Sequence, residues 1–158
     1  MPARNSPPFR SVAFMLSTLG YAVSRRFHEV LEPLGLEPGE FALMRAVSAS
    51  DGEPQQALAK RLHISPSWMV AIVDTLERDG LLERRPHPTD RRVRNLHLTA
   101  EGRKLLKQAE RQAEGFDREV AGQLSEAELR QLLDLLGRVG GCLGLEPGAA
   151  HSALHGQS

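Results

Sequence analysis

Cysteine is nearly missing: Cys142 is the only one in the chain, so no intramolecular disulfide can staple the fold and stability must come from a packed core. With no secretory leader pattern in view, such usage belongs to a reducing compartment, and a cytoplasmic location is expected. No apolar run approaches the roughly 20 residues of a membrane span, so no membrane partner is expected. Aromatic residues make up 4% of the chain, with Trp68 the sole tryptophan and Tyr21 the sole tyrosine. The histidines His28, His63, His87, His97, His151 and His155 show no paired spacing with carboxylates or the cysteine, which leaves no basis for a metal site. Neither a nucleophile–base pairing nor a Gly-rich phosphate loop is present, so the pattern is not that of an enzyme and requires no cofactor.

The formal net charge is +0, from 20 basic and 20 acidic residues, which taken alone argues against nucleic acid. The distribution reverses that impression. Residues 1–77 carry seven basic and eight acidic groups, residues 78–107 nine and four, and residues 110–158 four and eight. Positive charge is thus concentrated in one short stretch, as on a nucleic-acid-binding surface, although a solvated charge run would look the same.

At 158 residues the chain has the size of one domain, and no internal repeat divides it. Residues 1–8, with two adjacent prolines, read as an arm. From Phe9 to about Leu34 the apolar positions Val12, Met15, Leu16, Leu19, Val23, Phe27, Val30 and Leu31 follow a helical period, and Pro38 opens a second helix through Phe41, Leu43, Met44 and Val47. An Asp51-Gly52-Glu53-Pro54 turn leads to a short helix from Gln56 to Leu62, and His63-Ile64 form the turn to the next.

That next helix starts on Ser65, a good N-cap, with Pro66 at its first position. Met69, Ile72, Val73 and Leu76 commit one face to a core, which leaves Ser67 and Ala71 on the opposite face with Trp68 and Val70 on its flanks. Small or flat groups there suit entry into a groove. After Gly80, strands are expected at Leu81–Arg85 and Val93–Leu98 around a loop stiffened by Pro86 and Pro88. This hairpin holds five arginines against Glu83 and Asp90. On a projecting hairpin, basic side chains such as Arg84, Arg91 and Arg92 can reach phosphates or a narrow minor groove. Asp90 can alternatively pair with Arg91 or Arg92 to shape the tip. Thr99 then caps a long helix through Val120, and the Ser125–Glu128 capping-box pattern opens a last helix carrying Leu129, Leu132, Leu133, Leu136, Val139 and Leu143. A frayed tail is expected from His151.

The run GLLERRPHPTDRRVRNLHLTAEG resembles the wing signature of MarR-family transcriptional regulators, with Asp90 and Arg92 at the Asp-x-Arg tip and Leu98-Thr99 at the start of the following helix. Asp74, Leu76, Gly80 and Leu81 fit the preceding helix and turn. The resemblance implies a mainly α fold with a small two- or three-stranded β wing, in a single domain. Residues 36–98 would form the DNA-binding lobe, with the helix-turn-helix at about 55–78 and the wing at about 81–98, while 9–34 and 99–145 would supply dimerisation helices. It further implies a homodimer on a pseudo-palindromic double-stranded DNA operator, acting as a ligand-responsive repressor. DNA contacts are expected from Ser65, Ser67, Trp68, Val70, Ala71, Arg84, Arg91 and Arg92. A small anionic or phenolic effector would lodge near Tyr21, Arg25, His28, Met44 and Arg45.

Trp68 has two readings, groove contact or core, at equal weight. Val70, Trp68 and Ala71 are less polar than their counterparts in many relatives, so few direct base hydrogen bonds are expected and specificity would lean on the wing and on DNA shape. Cys142, beside Gly140 and Gly141 on an apolar helix, reads as a buried structural thiol before a redox switch. Two rival functions stay open: a winged-helix module that binds protein, and an effector-binding protein without DNA function.

Overall fold

The computed structural model describes residues 11–145; the expected arm, the first residues of the helix expected from Phe9, and the tail with His151 and His155 lie outside them. The elements follow in the order α1 (Val12–Leu31), a 3-10 turn (Glu32–Leu34), α2 (Pro38–Ala49), α3 (Gln55–Arg61), α4 (Pro66–Arg78), β1 (Leu82–Pro86), β2 (Arg94–Leu98), α5 (Ala100–Ala121) and α6 (Glu126–Cys142). The fold is mainly α with a two-stranded wing. The Asp51–Pro54 turn adds a third-strand fragment: Pro54 bridges Asn95, Gly52 N–H donates to the Leu96 carbonyl at 3.0 Å, and Leu96 N–H donates to the Glu53 carbonyl at 3.1 Å.

Local chemistry sets the boundaries. α1 stops at Leu31 rather than Leu34 because Pro33 cannot donate a backbone hydrogen bond, and the chain tightens into a 3-10 turn that ends on Gly35 at φ 66°. Glu37 and Glu40 close a capping box on α2. Gly80, at φ 72°, ends α4, and Leu81 N–H reaches back to the Leu76 carbonyl at 2.8 Å. That bond moves the first strand one residue on from its expected start: the Leu81 backbone serves the helix end, and its carbonyl accepts from Thr99 N–H at 3.1 Å. Val93 is likewise spent on the hairpin loop, bonded to Asp90 and His87.

The core lies inside the winged lobe. Leu36, Phe41, Leu43, Met44 and Val47 from α2 and its approach meet Leu58 of α3, Met69, Val73 and Leu76 of α4, and Leu82, Leu96 and Leu98 of the wing, all buried. α1 and α5 dock on it through Leu31, Leu106 and Ala109, and Phe27 lies between Phe41 and Phe116 with ring centroids 5.7 and 5.8 Å away. α5 approaches so closely that a Cβ on Gly102 would stand 1.9 Å from the Leu81 carbonyl oxygen. In α6 no residue is buried, and Cys142, expected to be a buried thiol, is exposed. Among the described residues, none buries a side chain of this helix.

Candidate nucleic-acid interface

α3 and α4 form the helix-turn-helix, and the turn between them is tight. His63 adopts φ 54°, the left-handed region that costs an L-residue about 1–2 kcal/mol, and Ile64 N–H closes back on the Ala59 carbonyl at 2.9 Å. Ser65 then caps α4, its Oγ accepting from Trp68 N–H at 3.3 Å and lying 3.4 Å from Ser67 Oγ. The first turn of α4 therefore presents two hydroxyls at the positive dipole end of a helix, chemistry that suits a phosphate oxygen. Met69, Val73 and Leu76 face the core as expected, while Ser65, Ser67, Val70 and Ala71 are exposed. Trp68 is half-buried, between its two expected positions.

The wing is an antiparallel hairpin with Leu82 opposite Leu98 and Arg84 opposite Leu96. Its loop is shaped by short bonds: Asp90 Oδ1 accepts from Arg92 N–H at 2.9 Å, and His87 Nδ1 lies 3.2 Å from Thr89 Oγ1. Asp90 thus shapes the tip through the Arg92 backbone and not through a guanidinium. Arg91, Arg92 and Arg94 are exposed and form no ion pair with any described residue. Glu83 is engaged by Arg85.

Arg84 departs from expectation. Its side chain, only 20% exposed, donates from Nε to Gln55 at 3.0 Å, from Nη1 to Glu77 at 2.6 Å and from Nη2 to Asp74 at 2.6 Å. The guanidinium expected to reach DNA is turned inward because two carboxylates one helical turn apart on α4 meet it there. A second network secures the turn before α3. Arg61 forks onto Glu53 at 2.7 and 3.3 Å, Ser50 Oγ donates to the same carboxylate at 2.7 Å, and the Arg61 hydrogen bond holds the Glu53 carboxyl below its ordinary range.

The five residues expected around an effector lie on two elements, Tyr21, Arg25 and His28 on α1 and Met44 and Arg45 on α2. Met44 is fully buried in the core, which corrects its expected place on a cleft: its position on α2 faces the lobe interior. Tyr21 is 73% exposed, His28 Nδ1 lies 3.1 Å from Glu37, Arg25 lies 3.9 Å from Glu29, and Arg45 stands over the Phe41 ring. No hydrogen bond, ion pair or ring contact links any two of the five. Sequence reasoning also passed over the outward face of α5, where Arg103, Lys104, Lys107 and Arg111 line a shallow depression with Ala100 and Gln108. Their spacing of three, four and seven residues was the available signal. Part of the basic excess therefore lies off the wing.

Comparison with known proteins agrees with this architecture. A family model described as the MarR family matches residues 36–93. The chain is 34% identical over 105 residues to a putative transcriptional regulatory protein for the hcr operon of Thauera aromatica, spanning 66% of this chain and 63% of that protein, just under two thirds of its length. It is 30% identical over 110 residues to the HTH-type transcriptional regulator BilQ of Clostridium symbiosum, covering 70% of this chain and 76% of the relative. Among solved structures, the transcriptional repressor CouR bound to a 23-mer DNA duplex superposes with a TM-score of 0.76 at 28% identity, covering 82% of this chain and 92% of the other. CouR, from Rhodococcus jostii RHA1, has also been seen bound to p-coumaroyl-CoA.

Proposed function

Because this chain belongs to the MarR family of winged helix-turn-helix transcriptional regulators, which bind DNA and are not enzymes, we propose that it represses transcription as a homodimer on a pseudo-palindromic operator and is released by a small anionic or phenolic effector. The observation that carries this reading is the combination, on one lobe, of an exposed small-residue face on α4 with the unpaired Arg91 and Arg92 at the wing tip. The helix supplies shape for a major groove, and the arginines supply phosphate or minor-groove contacts.

A dimer is supported by the apolar surface that the protomer leaves open. Leu132, Leu133 and Leu136 of α6 are 40%, 60% and 40% exposed, as are Met15 and Leu19 of α1 at 43% and 53%, a stripe that water disfavours and a second copy would cover. An effector is supported by the relative seen with p-coumaroyl-CoA, which is both anionic and phenolic. In this chain Tyr21, Arg25 and His28 on α1 and Arg45 on α2 are the candidates to line its site.

Selection of bound duplexes from a random pool tests the reading, followed by titration of the enriched duplex against Trp68 emission. Two recognition helices about 34 Å apart require a two-fold site and saturation at one duplex per dimer. A pool without enrichment, with emission indifferent to every duplex, would favour the protein-interaction module instead.

A further inference from the structure

We propose that Arg84 is a positioning residue, a fork that sets the angle between the recognition helix and the wing, and that Asp74 and Glu77 assist DNA reading although they carry the charge that DNA repels. The inference rests on the DNA-reading function proposed above. One guanidinium joins three elements. It bonds Gln55, the first residue of α3, and Asp74 and Glu77 on α4, from a position inside β1. Glu77 is held twice, since its other oxygen accepts from the Arg84 backbone N–H at 3.2 Å.

The core beneath these elements is apolar, and apolar burial is non-directional: it sets how far apart α3, α4 and the wing lie better than how they are rotated. A planar guanidinium with its donors in fixed directions supplies the missing orientation. Asp74 lies seven residues beyond Ser67, about 10 Å along the helix axis, so a small rotation at the fork is carried to the exposed residues of the first turn. Little stability is at stake, because Asp74 and Glu77 are 59% and 41% exposed and such ion pairs are heavily screened.

Neutralising the carboxylates separates this role from plain electrostatics, because the two predict opposite signs. Asp74→Asn with Glu77→Gln removes two negative charges from the DNA-binding lobe. If only charge mattered, or if the freed Arg84 became a phosphate contact, the variant would bind every duplex more tightly. The fork predicts that affinity for the selected duplex falls on the order of tenfold while affinity for random duplex holds or rises. Arg84→Lys, which keeps the charge and loses the fork, should show the same loss of discrimination with the salt slope unchanged and the thermal midpoint within about 4 °C of the parent.

Tighter operator binding by the carboxylate variant, or full discrimination by Arg84→Lys, would overturn the proposal. Hydrogen exchange gives a reading that needs no DNA: both variants should exchange wing amides faster while the amides of α2 stay protected. Unchanged wing exchange would equally overturn it. A wild-type protein that selects no duplex would count against the DNA-reading function, and the exchange measurement would still decide whether the fork holds the wing.

Discussion

The winged lobe and the helices around it use apolar residues in opposite ways. In the lobe, Leu43, Leu58, Met69, Leu76 and Leu96 are sealed within a single protomer, each at most 1% exposed. In α6, Leu132, Leu133, Leu135 and Leu136 are at least 40% exposed, and no residue of the helix is buried. Both regions carry leucines, but the geometry differs. Helices, a turn and a hairpin from 36 to 98 converge on one core, whereas α6 follows α5 and has no side chain buried by any described residue. The lobe core is therefore closed with the help of α1 and α5, and α6 keeps an exposed apolar face.

The largest effect should come from breaking that exposed face. Leu132→Glu with Leu136→Glu is expected to convert the proposed dimer to monomer or aggregate, read by light scattering at low micromolar concentration; a soluble variant that stays dimeric would place the interface elsewhere. In the lobe, Leu96→Ala should cost about 2–5 kcal/mol through reduced burial and a residual cavity, measured by denaturant unfolding with oligomeric state unchanged. Where the two regions meet, Gly102→Ala forces backbone apart at the Leu81 carbonyl and should cost about 1–3 kcal/mol. A neutral outcome there would show that α5 can shift on the lobe.

Smaller effects test the surfaces. Arg91→Ala with Arg92→Ala should leave the thermal midpoint unchanged while weakening selected and random duplexes alike, with the salt slope shallower by about 0.9 for each phosphate that is no longer neutralised. Unchanged binding across a salt titration would make the tip purely structural. Glu53→Gln should cost at most about 1 kcal/mol near neutral pH. The folded-state carboxyl is held low by Arg61, so its stabilisation is present above the ordinary glutamate value of about 4.3 and is lost as pH falls through the lowered one. Wild type and variant should therefore converge in acid; a gap that widens there would reverse the sign.

Much of the lobe was legible in the chain because its signals are local. Ser65 and Pro66 start α4, Gly80 ends it, Thr99 and Ser125 cap the last two helices, and each is read from a few neighbouring residues. The strands slipped by one residue for a local reason too, since the Leu81 backbone answers to the helix before it. Residue roles were harder. Arg84, Arg91 and Arg92 look alike in a basic hairpin, and only the carboxylates of Asp74 and Glu77 on another element separate the first from the others.

What the chain determined by itself was the kind and order of its elements and the apolar face of each, because capping, proline and glycine geometry and helical period act over a few residues. Tertiary structure alone decided that Arg84 bonds Gln55, Asp74 and Glu77 and that Gly102 meets the Leu81 carbonyl. Those outcomes depend on which elements pack together and at what angle, and a period shows where a face points without showing what it meets.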